Sequence, residues 1–194
     1  MKSIIQLVEF TAHANFFRYQ GQSVPFEVAF VNVLTGEKYI YTIDQSGYSS
    51  NEDDDSHNEL IANTQFYVDY PYENGEFKLA FVEDDVMTKY IVQDRWRYSK
   101  VAVDGVDQKF YFEGLGLPVV DFQTDLELEV PLSYQLEYMY MLDNDWHRQE
   151  FHKASNNSRC ALSLAYNASK FVLEKQKYFF KEGIRKRNWL CGIL

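Results

Sequence analysis

The sequence predicts an α+β protein. An antiparallel β-rich body, sandwich or barrel-like, spans residues 1–131, and two or three helices over residues 132–194 pack on the same domain and end in a basic tail. Three observations predict this. As far as about residue 130, apolar and polar residues alternate with period two in segments rich in Val, Ile, Tyr and Phe. The breaks between those segments are short and carry glycine. Beyond Pro131 the apolar residues recur every three or four positions, as on one face of a helix.

In chain order, the alternation predicts strands at Ser3–Phe10, Pro25–Val33, Lys38–Asp44, Thr64–Tyr70, Phe77–Val82, Lys89–Val92, Arg97–Val103, Lys109–Glu113 and Asp125–Val130. The stretches LTGEK, YENGE and VDGVDQK place Gly36, Gly75 and Gly105 where hairpins can reverse. Short connections imply antiparallel pairing, because parallel strands need crossover segments and these spacings leave no room for them. Residues 45–58, QSGYSSNEDDDSHN, read as an exposed acidic loop, and residues 113–122, EGLGLPVVDF, as a bend. Leu132, Leu136 and Met139 mark one helix. Ala161, Leu164, Ala165, Ala168 and Val172 mark a second, whose small residues allow close packing and for which Gly183 is the expected end.

Composition narrows the function classes. Apolar residues make up 46% of the 194 and charged residues 25%, a balance that supports a packed core and excludes a disordered chain. The 15 Tyr, 15 Phe and 3 Trp suit either a sheet or a surface that is apolar on one side and wet on the other, as subunit interfaces are. No uninterrupted apolar window is long enough to span a membrane. Gln6 and Glu9 break the N-terminal apolar run before it makes a signal-peptide core, so the expected setting is the cytoplasm or an assembled virion. Cys160 and Cys191 have no metal-ligand spacing and read as free thiols.

The net charge of −10 is divided unevenly. Residues 1–150 carry 10 Lys and Arg against 27 Asp and Glu, a net −17, whereas residues 151–194 carry 9 against 2, a net +7. Such a bipolar chain points to a partner for one end or to a self-complementary assembly.

Catalytic constellations are sparse. On one continuous helix Asp143, His147 and Glu150 fall on a single face and could hold a divalent metal or share a proton transfer, with His152 pointing elsewhere. A cap and turn at Asp143–Asp145 explains the same residues without burying unpaired charge. The acidic run Glu52, Asp53, Asp54 and Asp55 lacks the glycine and glutamate of a calcium loop; with Glu83, Asp84 and Asp85 it reads as an acidic surface. His13 stands alone. No nucleophile elbow or phosphate-binding glycine loop is present in the sequence, and no motif calls for a cofactor.

The tail KEGIRKRNWLCGIL admits three readings. Cys191-Gly192-Ile193-Leu194 matches the prenylation pattern, with a poor fit at Gly192. Lys170, Lys177 and Lys181 form a helical stripe leading to Arg185, Lys186 and Arg187, which could contact nucleic acid, although the acidic body would repel it. Docking on another protein subunit uses every feature: the basic helix meets an acidic surface, and Trp189, Leu190, Ile193 and Leu194 serve as anchors. The expected function is therefore a non-enzymatic structural or interaction subunit of a larger assembly, such as a viral, phage-type particle. The alternatives are an acidic inhibitor of a host nucleic-acid-handling enzyme and a metal-assisted hydrolase.

Overall fold

The computed structural model describes residues 2–94, 98–128, 151–152 and 159–191. A short helix, α1 (Lys2–Ile5), leads into a meander of β1 (Val8–Tyr19), β2 (Gln22–Asn32) and β3 (Lys38–Thr42). Next come α2 (Glu52–Ile61), a π-helical turn (Ala62–Phe66) and α3 (Leu79–Gln93). Then β4 (Lys100–Val103), α4 (Val106–Gly114) and β5 (Val119–Asp121) form a βαβ unit, and α5 (Ala161–Cys191) closes the described chain.

The chain is α+β, but its sheet is mixed, with order β3-β2-β1-β4-β5. β1 pairs antiparallel with β2, and β2 with β3. β4 runs parallel to β1, and β5 parallel to β4. The antiparallel expectation is thus corrected, and the five strands of the described residues form one open, mixed sheet that does not close into a barrel and has no second sheet packed on it among those residues. The crossovers that seemed to lack room are α3 and α4, in segments that the sequence suggested were strands. Phe77–Val82 contributes a single bridge, Phe77 to Ile43, before α3 begins at Leu79. Lys89–Val92 lies inside α3, Lys109–Glu113 inside α4, and Thr64–Tyr70 holds the π turn and a left-handed Tyr67. β-branched and aromatic residues favour strands only weakly, and their packing decides the outcome. In α3, Val82, Val86 and Tyr90 recur at four-residue steps and are the residues that become buried.

Further differences are local. Ser3–Phe10 divides between α1 and the start of β1, which then continues to Tyr19 as the central strand. The bend at 113–122 contains β5, Asp125 and Leu126 turn back on the carbonyl of Asp121, and Val130 lies outside the described residues. The acidic loop at 45–58 contains most of α2, whose N-cap Asn51 accepts a hydrogen bond from the Asp54 N–H. Glu52–Asp55 then occupy the first turn, at the positive end of the helix dipole. Gly36 (φ 74°) does sit in the β2–β3 turn, and Gly105 (φ 108°) caps α4.

Gly75 has a different role from the expected hairpin. Its backbone lies directly against Ile43 and Asp44, and an added Cβ would fall 2.5 Å from Asp44 Cα. Gly75→Ala is therefore expected to lower stability by about 1–3 kcal/mol through overpacking, seen as a reduced urea midpoint.

Both faces of the sheet are covered, which explains why β1 and β2 are buried along nearly their whole length. On one face, Phe10, Ala12, Ala14, Val28 and Phe30 pack against Val82, Val86 and Tyr90 of α3 and Phe112 of α4. On the other, Ala29 and Val31 meet Cys160, Ala161, Leu162 and Ala165, while Val8, Ala102 and Val120 meet Ala168, Phe171 and Val172. A register shift between Asn15 and Phe16, opposite Pro25, sends Phe17 and Phe26 into a third cluster with Phe66 and Tyr72. Proline is tolerated at such an irregularity because the ladder there needs no N–H.

Candidate interaction surface

The expected amphipathic face of α5 is largely buried: Ala161, Ala165, Ala168 and Val172 all lie in the interior. The helix runs antiparallel to β1. Asn15 Nδ2 donates to the Arg159 carbonyl at 2.5 Å, Thr11 Oγ1 donates to the Ala165 carbonyl at 2.7 Å, and Gln176 Nε2 donates to the Val8 and Ile5 carbonyls at 2.7 and 2.8 Å. At Gln176 the helix has reached the start of β1. It continues as helix to Cys191, about 22 Å further at 1.5 Å per residue. The expected stop at Gly183 does not occur, because one interior glycine costs only about 1 kcal/mol and its neighbours Lys181, Glu182, Arg185 and Lys186 are good helix formers.

A buried polar network fixes the start of α5. Glu27 lies on the α5 side of β2 and is wholly buried. Its Oε1 is 3.0 Å from His152 Nε2, and its Oε2 accepts from Asn15 Nδ2 at 2.9 Å and from the Ala161 N–H at 3.4 Å. His152 Nδ1 lies 2.6 Å from the carbonyl of Phe66, so an imidazolium can donate from both nitrogens. Burial opposes that charge, but hydrogen bonds with Cys160 and Glu27 and the negative charge of Glu27 outweigh it and hold the His152 pKa up at about 11.

Cysteine, histidine and carboxylate in this order form the constellation of an activated nucleophile. Such a nucleophile must be a thiolate within reach of a substrate. Cys160 is fully buried, and burial pushes its thiol pKa up, so the group is held as a neutral thiol. The network's evident role is to bind α5 and the Phe66 turn to the sheet. His13, half-buried nearby, has its pKa lowered to about 4, by burial first and then by the charge of Arg159.

The expected acidic surface divides in two. Asp54 is a correction: it is buried, with Arg18 Nε 2.7 Å away. Asp55 accepts from Ser50 Oγ and Tyr70 OH, both at 2.6 Å, and Asp85 accepts from Tyr41 OH at 2.6 Å. Burial, then the charge of Asp84, raises the pKa of the half-buried Glu83. Glu52, Asp53 and Asp84 face solvent. Among the described residues no cluster of His, Cys, Asp or Glu could hold a metal. Asp143, His147 and Glu150 lie outside them.

The basic stripe is also divided. Lys170 is half-buried with its Nζ 4.7 Å from the Tyr166 ring centre, which Lys38 Nζ also approaches at 4.8 Å. Lys177 and Lys181 are exposed. Between them Tyr178 and Phe180 are 59% and 65% exposed, an unusual state for large apolar side chains on a packed helix. Arg185, Lys186, Arg187, Trp189 and Leu190 fall within the helical stretch, and Ile193 and Leu194 lie outside the described residues. Among the described residues no helix is long and apolar enough to cross a membrane.

The fold and this surface define an α+β protein in which a long helix runs from a buried anchor to a stretch, Lys177–Lys181, where aromatic and basic side chains are exposed. Searches with protein-family models and among curated proteins give no match to the chain.

Proposed function

We propose that the protein is a non-enzymatic interaction or structural subunit, whose basic, aromatic C-terminal helix docks on a neighbouring subunit of a larger assembly of the viral, phage-type kind. One observation carries this reading: α5 is anchored through Phe171, Val172, Gln176 and Phe179, and on its outer side it exposes Tyr178 and Phe180 between Lys177 and Lys181. Aromatic residues flanked by cations are what subunit contacts use, since the rings supply apolar area and the charges supply orientation and rate. Lys177→Glu with Lys181→Glu is expected to leave the fold intact, because both lysines are exposed and the contacts that seat α5 lie elsewhere. The double variant should abolish assembly, measured as a fall in light-scattering mass to the 22.9 kDa of one chain. Assembly that survives the charge reversal counts against the reading.

A further inference from the structure

The helix layer on the opposite face of the sheet carries a second exposed apolar surface. α3 and α4 bury Val82, Val86, Tyr90 and Phe112, as helices covering a sheet should. Their outer side departs from that pattern: Phe81 is 53% exposed, Ile91 66% and Phe110 70%. The exposed charged residues within the two helices are the carboxylates Asp84, Asp107 and Glu113, of which Glu113 lies 4.0 Å from Lys109 Nζ, while the exposed Lys78 that caps α3 is paired with Asp44. Both lysines of these two helices are engaged nearby, Lys109 Nζ at 2.7 Å from Asp125 and Lys89 Nζ at 3.8 Å from Asp85 and 4.9 Å from the Tyr39 ring centre. The surface is thus apolar and negative, whereas the far part of α5 is apolar and positive.

We infer that the α3–α4 face is the acceptor for the far part of α5 from a second copy of this chain. This rests on the function proposed above and supplies its missing half. Each surface has what the other lacks: Lys177 and Lys181 meet the exposed carboxylates Asp84 and Asp107, and Tyr178 and Phe180 meet Phe81, Ile91 and Phe110. The chain cannot make this contact with itself. Its own α5 lies on the other face of the sheet, through Thr11, Ala29 and Ala165, and leaves along the start of β1. Because donor and acceptor are different surfaces, the contact is heterologous and repeats from copy to copy into a ring or a filament.

Two double variants of the full chain test this. Ile91→Lys with Phe110→Lys blocks the acceptor, and Tyr178→Ser with Phe180→Ser blocks the donor. All four positions are more than half exposed, so both variants should keep the wild-type circular dichroism spectrum and melting temperature. The wild type is expected to scatter as several copies at low salt and to dissociate at high salt. Each variant alone is expected to fall to 22.9 kDa, and an equal mixture to form a species of two chains and no larger, since the pair has one working donor and one working acceptor. If the acceptor-blocked variant assembles like wild type while the donor-blocked one does not, the acceptor assignment is overturned and the proposed function stands. If both variants assemble, both readings fail. A wild type that stays monomeric at all concentrations overturns the second copy as occupant and leaves a different protein in that place. Two monomeric variants that ignore each other when mixed overturn the heterologous geometry.

Discussion

Glu27→Ala is expected to lower the free energy of unfolding by about 3–5 kcal/mol, because it breaks a buried ion pair: His152 loses its counter-charge and must give up its proton, and Asn15 Nδ2 and the Ala161 N–H lose this acceptor. The carboxylate sits on β2 with no solvent access and holds three groups together: His152 through Oε1, and Asn15 and the first N–H of α5 through Oε2. Water can replace none of them, since Glu27, Asn15, His152 and Ala161 are all buried. Urea unfolding of the variant beside the wild type measures the loss. A change below about 1 kcal/mol would mean that the network is solvated and that α5 is held by apolar packing alone.

The same pair makes stability depend on pH in a definite direction. The folded pKa of His152, about 11, lies above the ordinary 6.5. Its contribution is therefore complete below about pH 6.5 and is lost as pH rises towards the folded value. Between pH 7 and pH 8.5 the unfolded state has lost this proton and the folded state keeps it, so stability should fall by about 1.4 kcal/mol per pH unit. Other nearby groups do not interfere in that window. His13, whose pKa is lowered, acts below pH 6.5, and the buried Cys160 thiol and the tyrosines Tyr72 and Tyr111, whose pKa values burial raises, act near or above their ordinary 9 and 10. In Glu27→Ala the slope should largely vanish.

Phe30→Ala is expected to cost about 3–5 kcal/mol, the range for removing a fully enclosed ring. Phe30 is wholly buried on β2, pairs with Ala12 in the ladder, and stacks on Phe10 with ring centres 5.0 Å apart and planes at 18°. Phe10 also meets Tyr90 of α3 at 5.4 Å, so the lost ring removes packing between strands and between layers. The neighbouring backbone belongs to the two longest strands and cannot collapse into the cavity. Urea midpoints should show the loss with an unchanged slope, because the surface exposed on unfolding hardly differs.

The meander of β2 and β3 was legible because Pro25–Val33 and Lys38–Asp44 have strand composition and a turn of suitable length between them. So was the buried side of α5, where Ala161, Ala165, Ala168 and Val172 keep helical spacing over a long stretch. α3 and α4 were not legible. Their aromatic and β-branched residues fit a strand as well as a helix over a few positions, and only the packing of Val82, Val86, Tyr90 and Phe112 on one sheet face selects the helix. The Glu27–His152 pair left a single trace, a carboxylate within the apolar run VPFEVAFV; its partner lies far along the chain and no spacing rule connects them.

By itself, then, the amino-acid sequence determined the α+β class, the division of charge and the apolar side of the last helix, because these follow from composition and from periods repeated over many residues. Tertiary structure alone decided which strands run parallel, which acidic residues are internal struts, and where a buried ion pair secures α5. Those depend on contacts between residues distant in the chain, and local pattern carries no information about which distant segments will meet.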